Sequence, residues 1–293
     1  MTRATVVVLA LAAALCAALG IVVRQLATRD VPAEHGMSAT ILTTLVRKPL
    51  WWAGTATAVA GYVCQALALT RGSLILVQPL LVSSLLFALP ISARIAHQRV
   101  TRSEWLWAVV LTVGLAAFVL LAHPHEGHNR PQAQTWAMVA AVAVPVVVAC
   151  VVGAARTTGA RRAMLLAVAV AVLFSMVAVL TKICAHRAAV GGWRAVVEIP
   201  APYLLVVVAV TATVLQQSAF HAGALQTSVP TMLVLEPVLA VLLGAVVLGE
   251  ELVVKGPALF ALPVALAAMA AATVALGRDS GALDERIAAP PQR

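Results

Sequence analysis

The stretch QQSAFHAGALQTSVPTMLVLEPVLAVLLGAVVLGEEL, residues 216–252, decides how this chain is read: two apolar runs joined by a short polar turn, with Glu236 inside the second run. It is the only carboxylate deep within any long apolar run of the sequence. A charged side chain at the centre of a bilayer costs at least ~2.5 kcal/mol, so such residues normally face a protein interior or a wet cavity and mark a functional site. Everything else in the sequence reads as the frame around that residue.

Working outward, the composition fixes the class. Hydrophobic residues make up 62% of the 293 and charged residues 11%, whereas soluble domains carry about 25% charged residues. A helix needs about 20 mostly apolar residues to cross the hydrocarbon core. The runs are rich in Ala, Val and Leu without strand-like alternation, which favours helices over an outer-membrane barrel. The expected fold is therefore an all-α polytopic membrane protein with spans near residues 4–25, 51–69, 73–95, 105–122, 135–153, 163–183, 202–221, 227–248 and 256–276. Residues 36–50 contain an apolar segment too short to cross and read as an interfacial helix, with a tenth crossing there as the alternative. The first run resembles a secretion signal in having Arg3 before it, but its length favours a retained span, and Leu15 before Cys16 disfavours lipidation. Trp51, Trp52, Trp105, Trp107, Trp136 and Trp193 lie near span ends, where indoles prefer the headgroup zone.

With nine spans, the side holding the C-terminus carries most of the 20 Lys and Arg residues. The positive-inside rule then places the C-terminus in the cytoplasm and the N-terminus outside, in a plasma (cytoplasmic) membrane. The net charge of +9 is scattered through loops; anionic lipid satisfies it, and nucleic acid is excluded as a partner. The tail, residues 277–293, is polar with mixed charge and is expected to be disordered. Cys16, Cys64, Cys150 and Cys184 lack paired spacing and read as packing residues.

The sequence also repeats itself. One gapless offset aligns Gln65 with Gln216, Ala68 with Ala219, Gly72 with Gly223, Leu74 with Leu225 and Pro79 with Pro230, and a slightly larger one sets VVRQ ending at Gln25 against VLTK ending at Lys182. Residues 1–122 then form a first repeat of four spans, residues 123–162 a His-rich loop, connecting span and loop, and residues 163–276 a second repeat of four spans. One intervening span inverts the second half relative to the first, and inverted repeats are a signature of secondary transporters whose site lies near the midplane between the halves. Pro79, Pro230 and Pro237 interrupt their spans and free carbonyls that could line a cavity.

Two runs carry a resemblance. Residues 65–107, QALALTRGSLILVQPLLVSSLLFALPISARIAHQRVTRSEWLW, and residues 221–257, HAGALQTSVPTMLVLEPVLAVLLGAVVLGEELVVKGP, resemble the duplicated half of the drug/metabolite transporter superfamily, the EamA-like proteins. The RKPLWWAG segment at residues 47–54 and the nine-span count resemble the NIPA-type magnesium transporters. The resemblance implies a secondary transporter by alternating access, not an enzyme, with no cofactor.

Glu236 is the expected proton or cationic-substrate site, with Gln216, Gln65 and Gln78 as amides that need partners in hydrocarbon. Lys182 and Arg24 read as snorkelling to the interface, Glu250 and Glu251 as solvated, and the histidines of HPHEGHNR, residues 123–130, as a solvated loop and not a metal site. A dehydrated divalent cation wants several oxygen ligands, and one intramembrane carboxylate falls short. A proton-coupled carrier of a small metabolite is thus the first reading, a magnesium or divalent-cation transporter the second, and a non-transporting scaffold the third. The expected partners are a small-molecule or ion substrate and membrane lipid, with a homodimer left open.

Overall fold

The computed structural model describes residues 2–28, 49–95, 100–125, 127, 133–222, 225–253 and 258–288. Among these residues ten helices and two short strands run in the order α1 (Arg3–Thr28), α2 (Pro49–Arg71), α3 (Leu74–Leu81), α4 (Ser84–Ile95), α5 (Arg102–Leu121), β1 (His123–His125), α6 (Ala133–Ala155), α7 (Gly159–Val197), α8 (Ala201–His221), α9 (Leu225–Leu248), β2 (Glu251–Val253) and α10 (Ala258–Ala288). Among the described residues, nine helical stretches are long and apolar enough to cross a membrane, α3 and α4 together supplying one of them. The protein is an all-α polytopic membrane protein, as its composition requires. Most of the segment expected as an interfacial helix, residues 36–48, lies outside the described residues, as do the histidine-loop residues 126 and 128–130.

The first two helices are an antiparallel pair held by small residues. A Cβ added to Gly20 would meet Ala58 and the Gly54 carbonyl, and one added to Gly61 would meet Ala13 and Cys16. Such close backbone approach is how helices associate in lipid, where burial of apolar surface offers no net gain. The pairing ends at Gly72, where a Cβ would lie 2.5 Å from Val6 Cγ1 and 2.6 Å from the Ala68 carbonyl oxygen. The start of α1 and the end of α2 therefore share one face of the membrane, called here the N-terminal face. The Arg3 guanidinium donates to the carbonyls of Val119 and Ala122 at the end of α5 on that same face, satisfying carbonyls that a helix C-terminus leaves unpaired.

Packing in one half recurs in the other. In the first, α1 packs on α2 and on the α3–α4 span; in the second, α7 packs on α8 and α9. Between the halves α3 meets α9 and α5 meets α10, so that like-placed helices face one another across the middle. A further bridge joins α2 to α7 through the Tyr62 and Thr181 hydroxyls, 2.6 Å apart. The α3–α4 and α7 spans are the most enclosed: 61% of the residues in the most apolar 18-residue stretch of each are buried inside the protein, against 11% for α6 and α8. These last two are the lipid-facing flank.

Three elements depart from the sequence reading. The third span is broken: Pro79 has no amide to give Ile75, and the amides of Val82, Ser83, Leu85 and Leu86 bond to carbonyls three residues back, a tightened 3₁₀ turn between α3 and α4. The sixth span does not stop at residue 183 but runs to Gly192, which turns the chain at φ +70°. The last helix continues to Ala288 through the first part of the polar tail expected to be disordered, because extending a helix already nucleated in the membrane costs little per residue.

The Gly72 contact tests this packing. Replacing Gly72 with Ala should destabilise the protein by about 1–3 kcal/mol, the range for overpacking a filled interior, read as a lower midpoint of thermal unfolding in detergent. Gly159→Ala, at a position with open space around it but φ +61°, should cost about 1 kcal/mol from backbone strain alone.

Candidate functional site

The site is built at the start of α3. Ser73 caps that helix by accepting from the Leu76 amide at 3.2 Å, which leaves the first amides of Leu74 and Ile75 without intrahelical acceptors. Glu250 accepts both, at 3.0 Å and 3.1 Å through its two carboxylate oxygens. The same carboxylate is ion-paired to the Lys182 ammonium of α7. Both side chains are closed to solvent, 0% exposed for Glu250 and 3% for Lys182. A carboxylate at a helix N-terminus is favoured by the amide dipoles and by their hydrogen bonds.

Local sequence brings Glu250 there. α9 ends at Leu248, Gly249 reverses the chain at φ +64°, and the Glu250 amide returns to the Gly244 carbonyl at 3.1 Å. That turn directs the carboxylate back over its own helix end. Gly244 leaves it room: a Cβ there would lie 3.0 Å from Glu250 Oε2 and 3.2 Å from Leu74 Cβ. Beyond the turn, β2 pairs antiparallel with β1 in the register His123 with Val253, Pro124 with Leu252 and His125 with Glu251. His123 and His125 therefore belong to a two-stranded cover over the N-terminal face and not to an irregular loop.

Lys182 and Glu250 are both corrections. Lys182 does not snorkel and Glu250 is not solvated; each is the other's partner. The available signal was depth: the sequence places both residues near the N-terminal-face ends of their spans, with opposite charge and no other intramembrane partner nearby.

A polar seam descends from this cluster. The Leu74 side chain lies against α9 at Gly244, and residues four apart share a helix face, so Gln78 presents to α9 one turn deeper. On α9 the matching stripe is Gly244, Ala240 and Glu236. Because α3 and α9 run in opposite directions, Gln78 lies about 6 Å below Leu74 at 1.5 Å per residue, and Glu236 about 12 Å below Gly244. Glu236 is thereby level with the tightened turn at Val82 and Ser83. Gln78 is 2% exposed and its Nε2 has no hydrogen-bond partner among the described residues. Glu236 is half-buried, and no hydrogen bond or ion pair of its carboxylate is found among the described residues.

The other residues singled out from the sequence fall elsewhere. Gln65 and Gln216 are half-buried on α2 and α8, one helix removed from the seam. Pro79 precedes a true helix break, whereas Pro230 and Pro237 sit inside an unbroken α9. Their missing amides still deprive Gln226 and Leu233 carbonyls of the usual donor, and Pro230 forms the close contact with Gly277 of α10. α9 packs on α7 and α10 and stays one helix past both prolines, whereas the third span divides three residues after Pro79. Among the described residues no three His, Cys, Asp or Glu side chains converge.

Removing one member of a buried ion pair strands the other, which typically costs 3–5 kcal/mol. Lys182→Met should fall in that range, read by thermal unfolding in detergent. Glu250→Gln should cost at least as much, because it strands the ammonium and weakens two amide bonds. The double variant should be less destabilised than the sum of the singles by at least ~1 kcal/mol, the mark of direct coupling.

Comparison with known proteins gives the chain its place. It is 36% identical over 274 residues to an uncharacterized protein of Corynebacterium glutamicum, covering 94% of this chain and 95% of that relative. No solved structure matches it. A family model described as magnesium transporter NIPA matches residues 2–254, and the wider drug/metabolite transporter grouping is the coarser statement of the same relation. With a match that reaches from the start of α1 through the turn bearing Glu250, the chain belongs to the magnesium transporter NIPA family of membrane transporters.

Proposed function

We propose that this protein carries a divalent cation, magnesium first, across the membrane along the seam between α3 and α9. The observation that carries the reading, within a chain of this family, is the Glu236 carboxylate: half-buried, near mid-depth, level with the break in the third span, and without a hydrogen bond or ion pair among the described residues. Magnesium sheds its inner waters reluctantly and is commonly held by one or two carboxylates with several waters retained. A site with one acid and no convergent cluster of ligands suits such a hydrated ion better than a stripped one. Glu236 supplies the charge. The Gln78 side-chain oxygen and the backbone carbonyls left without donors at Ile75 and Leu233 can accept from the water shell.

Alternating access would follow from rocking of the two halves about the α3–α9 and α5–α10 contacts, with the C-terminus in the cytoplasm of a cell bounded by its plasma membrane. A lone acid also suits a proton-coupled carrier of a small organic cation or metabolite. That second reading rests on the scarcity of oxygen ligands at the depth of Glu236.

In proteoliposomes with a magnesium-sensitive dye inside, a magnesium gradient should give dye signal with the intact protein. Glu236→Gln should lower the initial rate at least tenfold, and Glu236→Asp should retain part of it. Uptake unchanged in Glu236→Gln would remove Glu236 from the pathway. A pH-dye signal driven by organic cations, with no magnesium signal, would favour the second reading.

A further inference from the structure

We infer that Glu250 is a latch that closes the seam on the N-terminal face, and that Gln78 is the contact it uncovers when it opens. The three groups that hold Glu250 belong to two elements: the Leu74 and Ile75 amides start α3 in the first half of the chain, and Lys182 sits on α7 in the second. Glu250 itself lies in the turn after α9. One side chain therefore pins two halves that must part for the seam to open on this face.

The chemistry of the closure suits a reversible contact. Burying both charges forfeits hydration that their mutual attraction only partly returns. When the faces separate, carboxylate, ammonium and the two amides can each be rehydrated, so the open state recovers much of what the closed state gains. A purely apolar plug would have no such compensation. Directly beneath, Gln78 is 2% exposed with Nε2 unpartnered among the described residues. A buried donor without an acceptor raises the free energy of the closed state, and water or a hydrated cargo entering from this face would meet it first. The mobile part is also prepared. α3 is an eight-residue half-helix ending in the 3₁₀ turn at Val82 and Ser83, a place where a helix can bend, and Gly244 gives the carboxylate a slot with no side chain to cross. The inference uses the transporter class and this geometry, and is independent of which cargo is carried.

The test is thiol accessibility. In a background with Cys16, Cys64, Cys150 and Cys184 replaced by Ala, Gln78→Cys is labelled with a membrane-impermeant methanethiosulfonate in sealed vesicles of each orientation. With Glu250 intact, labelling from the N-terminal face should be slow. Adding Glu250→Gln should raise that rate at least tenfold while leaving the rate from the opposite face unchanged. An unchanged rate, or an equal rise from both faces, would overturn the latch. Hydrogen exchange in the unmutated protein covers the case in which Glu250→Gln does not fold. The amides of Leu74 and Ile75 should exchange by local opening, at least a hundredfold faster than the slowest amides of α7; exchange only at the rate of global unfolding would overturn it equally.

Discussion

The arrangement depends on how one carboxylate is accommodated away from water. Glu250 is fully buried in a protein of 62% hydrophobic residues, where an unpaired charge would be prohibitive. It is tolerated because three donors converge on it: two amides that the start of α3 leaves unused and the ammonium of Lys182. Each of those donors would be in difficulty without it. The helix start would hold unmet amides, and Lys182 would be a bare cation inside the bundle. Mutual need, more than net stabilisation, explains why the three occur together, since a buried ion pair gains little over well-packed apolar residues.

From this point the third span takes its form. Anchored at Leu74 by Glu250 and interrupted after Pro79, it becomes two short helices, and its break lies level with Glu236 on α9. In lipid, irregular backbone survives only where protein or a wet cavity surrounds it, and the enclosure of the α3–α4 span meets that condition. Gln78, between the charged cluster and Glu236, makes the seam polar over two helical turns. The flank of α6 and α8 carries no charged side chain within its spans; its large exposed residues are mostly Val, Leu and Met, with Tyr203 near the start of α8.

Small residues do the remaining work of assembly. Gly20, Gly61 and Gly72 let α1 and α2 approach closely, and Gly114 and Gly277 do the same for α10 against α5 and α9. Because the contact pattern of α1, α2 and α3–α4 recurs in α7, α8 and α9, the seam between α3 and α9 lies where two like-built halves meet. That is the place expected of a carrier that exposes one site to either side in turn.

The sequence by itself determined the helical membrane class, the nine runs that form spanning-length helices among the described residues and the prominence of Glu236, because length and hydrophobicity of a run set its ability to span and a lone intramembrane acid stands out against them. It also displayed Pro79 and Gln78 as anomalies within a span. What only the tertiary structure decided was partnership. Lys182 and Glu250 are far apart along the chain and each, taken alone, is well explained by the interface; their pairing, the amides of Leu74 and Ile75 and the space at Gly244 depend on the relative rotation and depth of α3, α7 and α9. Whether a proline accompanies a helix break was likewise visible only in the structure, since Pro79 and Pro237 remove the same kind of bond, yet the third span divides and α9 does not. The hydrophobic pattern fixes which stretches cross the membrane, and contacts between helices fix which polar groups meet, because in hydrocarbon such groups are satisfied chiefly within the protein.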